Sequence, residues 1–262
     1  MTGRSLHDAL LMVLTDGELR RRLLDGDSTV GDALGNEEAD TLKRADPERL
    51  GRLARFMARH FYRERIVRLF RWSRTLSLAA GRNPLAVLES AAFRSVVDSA
   101  VLGSPASAET VAQLVETRLL ADLADRRYGA ALVSYEGTMF RVEAGPRNWR
   151  EPSARDGTPA RSAQARIIEL DWNLAPLIAA LRAGNPLPPE PLREPTRLLV
   201  VLSPGGWVTS VRCPDPILRL LDALDGVRSP AEAARAAGLR EADAGNLLQK
   251  LTEIGAVEWR SA

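Results

Sequence analysis

The order of strand, turn and helix signals in residues 196–262 constrains the fold of this chain more than any other feature of its sequence. Two apolar, strand-like runs, 197–202 and 207–212, flank a Ser-Pro-Gly-Gly segment, which is typical of a hairpin turn. Three amphipathic segments follow, each ending at a glycine, and then a short apolar run at 256–259. A hairpin, three helices and a returning strand predict a winged-helix-like domain over 196–262.

The preceding part of the chain divides by its hydrophobic period. Residues 1–126 carry apolar side chains at helical spacing and predict a bundle of four or five helices. One of these helices is predicted to run without interruption from Pro47 to about Ala80. We therefore expect a first, helical domain.

Residues 127–195 are predicted to form a mixed α/β region. The expected elements are a hairpin around Glu136-Gly137, an exposed polar loop at 145–162, a strand at 166–170, a short helix at 176–183, and a proline-rich linker to residue 195. The fold class expected for the whole chain is α+β, in three domains.

Composition argues against several classes of function. The chain has two histidines, His7 and His60, and one cysteine, Cys213, which are too few for a structural zinc site or a disulfide framework. His60 is interpreted as a packed or semi-buried histidine, and Cys213 has no nearby histidine that could activate it. No apolar run approaches the ~20 residues that span a bilayer, and no signal peptide is evident. We expect a cytoplasmic protein with no metal and no cofactor of its own, and we predict no catalytic residues.

Charge is concentrated in one segment, although the formal net charge of the chain is only +2. Residues 43–74 hold 11 basic and 3 acidic side chains. Five of the arginines share an arc of about 120° on the predicted helix: Arg49, Arg52, Arg55, Arg59 and Arg63. The apolar side chains predicted on the opposite side are Leu50, Leu53, Met57 and Phe61. We predict that the arginines dock on an acidic partner; a solvated face is the alternative interpretation.

A winged helix suggests DNA binding, but charge argues against it here. The third helix enters the major groove in such folds, and in this chain the segment 241–254 carries three acids and one base. Because contacts to phosphate need cations, the attraction would have the wrong sign, and we expect no nucleic acid partner. A transcription regulator that uses the winged helix and the basic helix remains the alternative function.

A neutral winged helix that follows a hairpin can instead capture an extended peptide as an added strand. The residues predicted to bind the peptide through the strand edge are Trp207, Val208, Thr209, Ser210, Val211 and Arg212. Those predicted beside them on the last helix are Asn246, Gln249 and Lys250.

The same segment resembles the leader-recognition elements of ribosomally synthesised peptide pathways, which are similar to the small peptide chaperone of pyrroloquinoline quinone biosynthesis. The motifs that carry this likeness are Leu-Leu-Asp-Ala-Leu-Asp-Gly at 220–226, Gly-Leu at 238–239 and Leu-Thr-Glu-Ile-Gly-Ala-Val at 251–257. From residue 128 to 260 the chain is also similar to the partner proteins of multinuclear non-haem iron oxidative enzymes. Ile-Ile-Glu-Leu-Asp-Trp-Asn at 167–173 carries that second likeness.

The resemblance implies a non-catalytic subunit that binds the leader of a precursor peptide and docks on a barrel-shaped iron enzyme. That enzyme would oxidatively rearrange Cys or Asp residues of the peptide. Iron is then expected in the partner enzyme, in a heterodimer with this chain, with no membrane involved.

Overall fold

The computed structural model describes residues 5–144, 157–185 and 190–261. Within these residues the chain combines α-helices with two small antiparallel sheets, so the predicted α+β class is confirmed. The chain divides into two compact units, Met1–Ala124 and Asp125–Ala262. The described part of the first unit is helical, and the second unit is mixed.

The helices of the first unit outnumber the four or five that were predicted. They are α1 (Leu6–Thr15), α2 (Gly17–Leu24), α3 (Val30–Leu34), α4 (Asn36–Lys43), α5 (Pro47–Leu69), α6 (Arg71–Ala79), a 3₁₀-helix (Pro84–Glu89), α7 (Ala91–Ser99) and α8 (Pro105–Asp122). The additional helices arise because capping residues divide the predicted segments. For example, the Asp16 side chain accepts a hydrogen bond from Leu19 N and caps the start of α2 directly after α1.

Helix α5 is the longest helix of this unit and packs against α1, α6, α7 and the 3₁₀-helix. Asp46 caps its start by accepting from Glu48 N, and Pro47 occupies the first turn. The prediction of one helix from 47 to about 80 is wrong, because the chain leaves helical geometry at Phe70, whose side chain is fully buried.

The second unit begins with a helix where a hairpin was predicted. Residues 129–143 form α9 (Gly129–Glu143), and the expected turn at Glu136-Gly137 is buried in the middle of that helix. The buried residues Leu132, Glu136 and Phe140 are spaced by four, which is a helical period and not the period of two that strands require.

The remaining elements of this unit are β1 (Gly157–Arg161), β2 (Arg166–Leu170), α10 (Ala175–Arg182), β3 (Thr196–Leu202), β4 (Val208–Arg212), α11 (Asp215–Ala223), α12 (Pro230–Ala236), α13 (Glu241–Glu253) and β5 (Val257–Ser261). The predicted strand, short helix, hairpin, three helices and returning strand are thus all present. Good local signals explain this agreement: Ser229 and Glu232 form a capping box at α12, and Gly238 ends it with a positive φ of 66°.

Strands β2, β3 and β4 form an antiparallel sheet in that order, and both faces of the sheet are covered. On one face, Val200 and Leu202 pack with Val142 of α9. On the other face, Leu199 and Val201 join the core formed by α11, α12 and α13. Because β3 is buried on both faces of the sheet, its sequence is a continuous apolar run and does not alternate with polar residues.

The second sheet joins the predicted middle region to the C-terminal region. β1 pairs antiparallel with β5, from Gly157 opposite Ser261 to Arg161 opposite Val257. The predicted polar loop at 145–162 is therefore wrong from residue 157 onward, whereas residues 145–156 lie outside the described residues. Gly226 N also donates to Pro159 O (3.1 Å), so the chain after α11 borders β1.

These pairings also bear on the predicted domain boundaries. The first boundary, between residues 126 and 127, falls within a few residues of the observed division after Ala124. The second boundary, at residue 195, lies inside the second unit, because β2 pairs with β3 and β1 pairs with β5 across it. Of the predicted linker, residues 186–189 lie outside the described residues, and 190–195 contain neither helix nor strand.

Among the described residues, no helix combines the length and the apolar character that crossing a membrane requires.

Candidate functional site

Strand β4 forms one edge of the three-stranded sheet. Its five residues pair with β3 in continuous register, from Val208 opposite Leu202 to Arg212 opposite Leu198, without a bulge. In the part of the chain that the structure describes, β4 pairs with no other strand. The strand that was predicted to bind a peptide is thus an edge strand, with its outer backbone unpaired within those residues.

Hydrogen bonds at the two ends of the hairpin fix the orientation of the β4 backbone. Ser203 N donates to Trp207 O (2.8 Å), and Cys213 N donates to Arg197 O (2.9 Å). In an antiparallel ladder, hydrogen-bonded pairs alternate with pairs that are not bonded to each other. Every second residue counted from Trp207 therefore directs its N–H and C=O groups toward β3.

By this count, Thr209 and Val211 face β3, and the backbone groups of Val208, Ser210 and Arg212 point outward. Three N–H donors and three C=O acceptors are thus presented along the outer edge of β4. They are the groups that an added antiparallel or parallel strand would use.

The outer edge of β4 has little of the usual protection of an edge strand. Natural edges carry charged side chains, prolines or bulges that prevent pairing with other chains. From Val208 to Val211 the sequence is Val-Thr-Ser-Val, with no charge and no proline, and the exposed Arg212 at the end of the strand is its one charged residue. The opposite edge strand, β2, carries exposed Arg166 and Glu169. Of the two edges, β4 is therefore the one suited to pairing.

The side chains of β4 reach both layers that cover the sheet. Val208 packs against the apolar cluster on the α9 side, and Ser210 on the same side lies 2.9 Å from Tyr135, measured between the two hydroxyl oxygens. Val211 packs into the core on the opposite side. Tyr135 was not predicted as part of this site, because its segment was interpreted as a strand. The signal in the sequence that could have shown it to be helical is the spacing of its buried neighbours.

Trp207 is placed at the start of β4 by the turn. Its side chain is 71% exposed, and its backbone N–H donates to Ser203 Oγ (3.1 Å). Gly206 adopts a positive φ of 79°, a conformation that glycine permits without strain. A large aromatic ring is thus held at the end of an unpaired edge, where it is able to act as an anchor for a bound chain.

Helix α13 shares a core with β4 but does not bond to it through its polar side chains. Leu248 and Leu251 are buried in the same cluster that Val211 contacts. The predicted residues Asn246, Gln249 and Lys250 are exposed; Gln249 Nε2 donates to Glu253 Oε1 (3.1 Å). Among the described residues, no hydrogen bond or ion pair joins these three side chains to β4.

Gly255 fixes the end of α13 against the sheet. A β-carbon built on this residue would lie 2.5 Å from the carbonyl oxygen of Leu202, the last residue of β3, and φ at Gly255 is 84°. Only glycine fits such a close approach of two backbones. α13 is thereby fixed beside the hairpin turn that carries Trp207.

The charged side chains of α13 lie mainly at its two ends. Glu241 and Asp243 lie in its first turn, and Lys250 lies in its last. Arg240, which precedes the helix, donates through Nε to Asp243 Oδ2 (2.7 Å), so it adds no unneutralised cation there.

The five predicted docking arginines of α5 do not form one free basic face. Arg59 pairs with Glu89 (2.6 Å), Arg52 pairs with Glu48 (3.3 Å), and Arg55 is half-buried. Arg49 and Arg63 are exposed, and the ion pairs among the described residues include neither of them.

The apolar side of α5 also differs from the prediction. Alanines Ala54 and Ala58 lie on the buried face together with Tyr62 and Ile66, whereas Leu53 is 42% exposed. Leu53 therefore lies outside the buried face, whose contacts with the neighbouring helices are made in part by small alanine side chains.

The surroundings of His60 and Cys213 can be compared with what was predicted for them. The His60 side chain is exposed and its Nε2 lies 3.3 Å from Glu64 Oε1, so the prediction of a packed histidine is wrong. Cys213 is buried, and this burial raises the pKa of its thiol, which disfavours the reactive thiolate.

In residues 5–144, 157–185 and 190–261, no three His, Cys, Asp or Glu side chains are grouped so that they could hold a metal ion. No model of a known protein family matches the chain, and no curated protein matches it.

Proposed function

We propose that this protein is a non-catalytic subunit that binds an extended precursor peptide on β4 and presents it to a multinuclear iron-dependent oxidative enzyme. One observation carries the peptide-binding part of the proposal: an edge strand whose first four residues are uncharged, in continuous register with β3, directs the backbone groups of Val208, Ser210 and Arg212 outward. Main-chain hydrogen bonds to these groups would supply affinity independent of the peptide sequence.

Selectivity for one peptide would come from its side chains. Side chains of an added strand alternate between the two faces of the sheet. On one face they would meet the hydroxyl pair of Tyr135 and Ser210. On the other face they would lie on the side of the sheet that packs against the core of α11, α12 and α13.

The chemistry belongs to the partner enzyme in this proposal. The iron would be held by that enzyme, and this chain would contribute binding and orientation of the substrate, as a heterodimer in the cytoplasm where precursor peptides are made. This division of roles rests on the resemblance of residues 128–260 to the partner proteins of such enzymes.

Amide hydrogen exchange of the full chain tests the peptide site. The probe is a synthetic leader peptide taken from the precursor gene nearest to the gene of this chain. We expect bound peptide to slow exchange at Val208, Ser210 and Arg212 by at least tenfold, since their N–H groups gain partners. Thr209 and Val211 already donate to β3, so their exchange should change less.

A matched control uses the same peptide with N-methyl groups on alternate backbone nitrogens. This peptide keeps every side chain but loses the N–H donors along one of its two edges. When the methylated edge is the one that faces β4, the peptide should bind at least tenfold more weakly. Peptide binding that protects amides elsewhere and leaves β4 unchanged would contradict the proposal.

A further inference from the structure

The side of α5 that faces away from its neighbours exposes apolar residues in addition to arginines. Phe56 is 68% exposed and Leu53 is 42% exposed, one helical turn apart. Val67, three turns further along, is also exposed. We use the name "α5 outer face" for the stripe made of Arg49, Arg52, Leu53, Phe56, His60, Arg63 and Val67.

Helical geometry groups these seven residues on one side. At 100° per residue they span an arc of roughly 100° centred between Phe56 and His60. The buried residues of the same helix, from Leu50 to Leu69, occupy the opposite side and pack against the rest of the first unit. The exposed apolar residues therefore form a surface that is separate from the buried face of α5.

The α5 outer face contains no acidic residue, and its charge is only partly neutralised. Arg52 pairs with Glu48, and His60 pairs with Glu64; both glutamates lie just outside the stripe. Arg49 and Arg63 lie on either side of Phe56 along the helix and have no acidic partner among the described residues. Two aligned cations thus flank an exposed aromatic ring.

We propose that the α5 outer face docks on an acidic protein surface that offers an apolar pocket to Phe56 and Leu53. Aromatic residues and arginine dominate the binding energy of protein interfaces. Charge complementarity selects an occupant with carboxylates spaced to meet Arg49 and Arg63, about four helical turns apart along α5.

Other occupants fit this face less well. A membrane surface favours an uninterrupted apolar stripe with cations at its borders, but Arg49 lies in line with Val67 near the middle of this arc, and Arg63 also lies within it. A nucleic acid duplex would use the arginines and would leave Phe56 and Leu53 without a contact.

This inference deepens the proposed function and rests on it, because it gives the partner enzyme a docking surface. The peptide edge β4 belongs to the second unit and the α5 outer face to the first. The two surfaces are therefore tested by separate variants.

Photo-crosslinking in the native cells identifies the occupant. The full chain carries p-benzoyl-phenylalanine in place of Phe56 or, as a control, in place of Leu120, which is 43% exposed on α8. We expect an adduct at position 56 and not at 120, with one protein whose crosslinked segment is rich in Asp or Glu. An adduct with lipid, with nucleic acid or with a second copy of this chain, or no adduct above the control, would overturn the inference.

Affinity measurements with the purified crosslinked protein provide the second readout. Phe56→Ala and Arg63→Glu should each raise the Kd at least tenfold, while Leu120→Ala should leave it within twofold. All three residues are exposed, so thermal melting of the variants should match the parent chain. Unchanged Kd values for Phe56→Ala and Arg63→Glu would overturn the inference.

The two proposals fail in distinguishable ways. If leader-peptide binding to β4 persists in Phe56→Ala while partner binding is lost, both proposals are supported. If partner binding is lost but no leader peptide protects β4, the docking surface stands and the peptide site does not.

Discussion

The hydroxyl oxygen of Tyr135 on α9 lies 2.9 Å from the hydroxyl oxygen of Ser210 on β4. This contact joins the edge strand to the helix that packs against one face of the sheet. It is half-buried, so water competes with it only in part.

A double-mutant cycle measures this contact. Tyr135→Phe and Ser210→Ala should each lower the free energy of unfolding by about 1 kcal/mol, the usual net value of a hydrogen bond. The double variant should lose little more than either single variant, because both changes remove the same bond. Denaturant unfolding provides the measurement, and strictly additive losses would show that the hydroxyls act independently.

Proline substitutions on β4 separate its outer edge from its inner edge. Val208→Pro removes an outward N–H and should leave the β3–β4 ladder intact while weakening leader-peptide binding at least tenfold. Thr209→Pro removes an N–H that faces β3, leaves the opposing β3 carbonyl without its donor, and should lower the free energy of unfolding by about 1–3 kcal/mol. Calorimetric titration and denaturant unfolding check the two effects; the opposite pattern would mean that the assigned orientation of β4 is wrong.

Two glycines near the end of the chain respond oppositely to alanine. Gly255→Ala should lower the free energy of unfolding by about 1–3 kcal/mol, because φ at this position is 84° and the added carbon meets the Leu202 carbonyl. Gly245→Ala, in the middle of α13 with open space around it, should raise the free energy by about 0.5–1 kcal/mol. Thermal or chemical unfolding of both variants tests the pair, and a stabilising Gly255→Ala would rule out the close approach.

Acidification should weaken the region between α11 and α12. Backbone N–H groups of Arg228 and Val227 lower the pKa of Asp225, and the backbone and side chain of Ser229 lower the pKa of Glu232. A carboxyl whose pKa is lowered by folding stabilises the fold above its unfolded pKa, and that contribution is lost as pH falls through the folded pKa. The loss should therefore appear as pH falls below about 4.

Glu232→Gln is the variant that checks this pH dependence. It should melt at a lower temperature than the parent chain at pH 6, and the difference should shrink as the pH is lowered to 3. Melting curves that differ by the same amount across this range would contradict the role of the carboxylate.

The C-terminal elements were predictable because their boundaries are encoded locally. Ser229 and Pro230 mark the start of α12, and glycines with positive φ follow α11, α12 and α13. Such signals act within a few residues, so the sequence alone is sufficient to place them.

Other elements depend on contacts that are distant in sequence. β1 has no alternating apolar pattern and contains Pro159; it becomes a strand because β5, about a hundred residues later, supplies the hydrogen bonds. The α9 segment was predicted as a hairpin because Glu136-Gly137 resembles a turn, yet both residues are buried within the helix. Tertiary packing can therefore determine the secondary structure of a segment whose local sequence favours a turn.

The candidate site was predictable in part. The edge strand and the exposure of Asn246, Gln249 and Lys250 follow from the sequence pattern, whereas the orientation of the β4 backbone requires the observed hydrogen bonds. The arginine face of α5 was overestimated, because ion pairs such as Arg59–Glu89 join residues that are far apart in the sequence.

The pairing of β1 with β5 limits how this protein can be dissected. A fragment that begins at the proline-rich segment would lack β1. The backbone N–H and C=O groups of β5 around Trp259 would then be unpaired on that side. A fragment made from the C-terminal half of the chain should therefore include β1 from Gly157 onward, because an unpaired β5 would favour pairing with other chains.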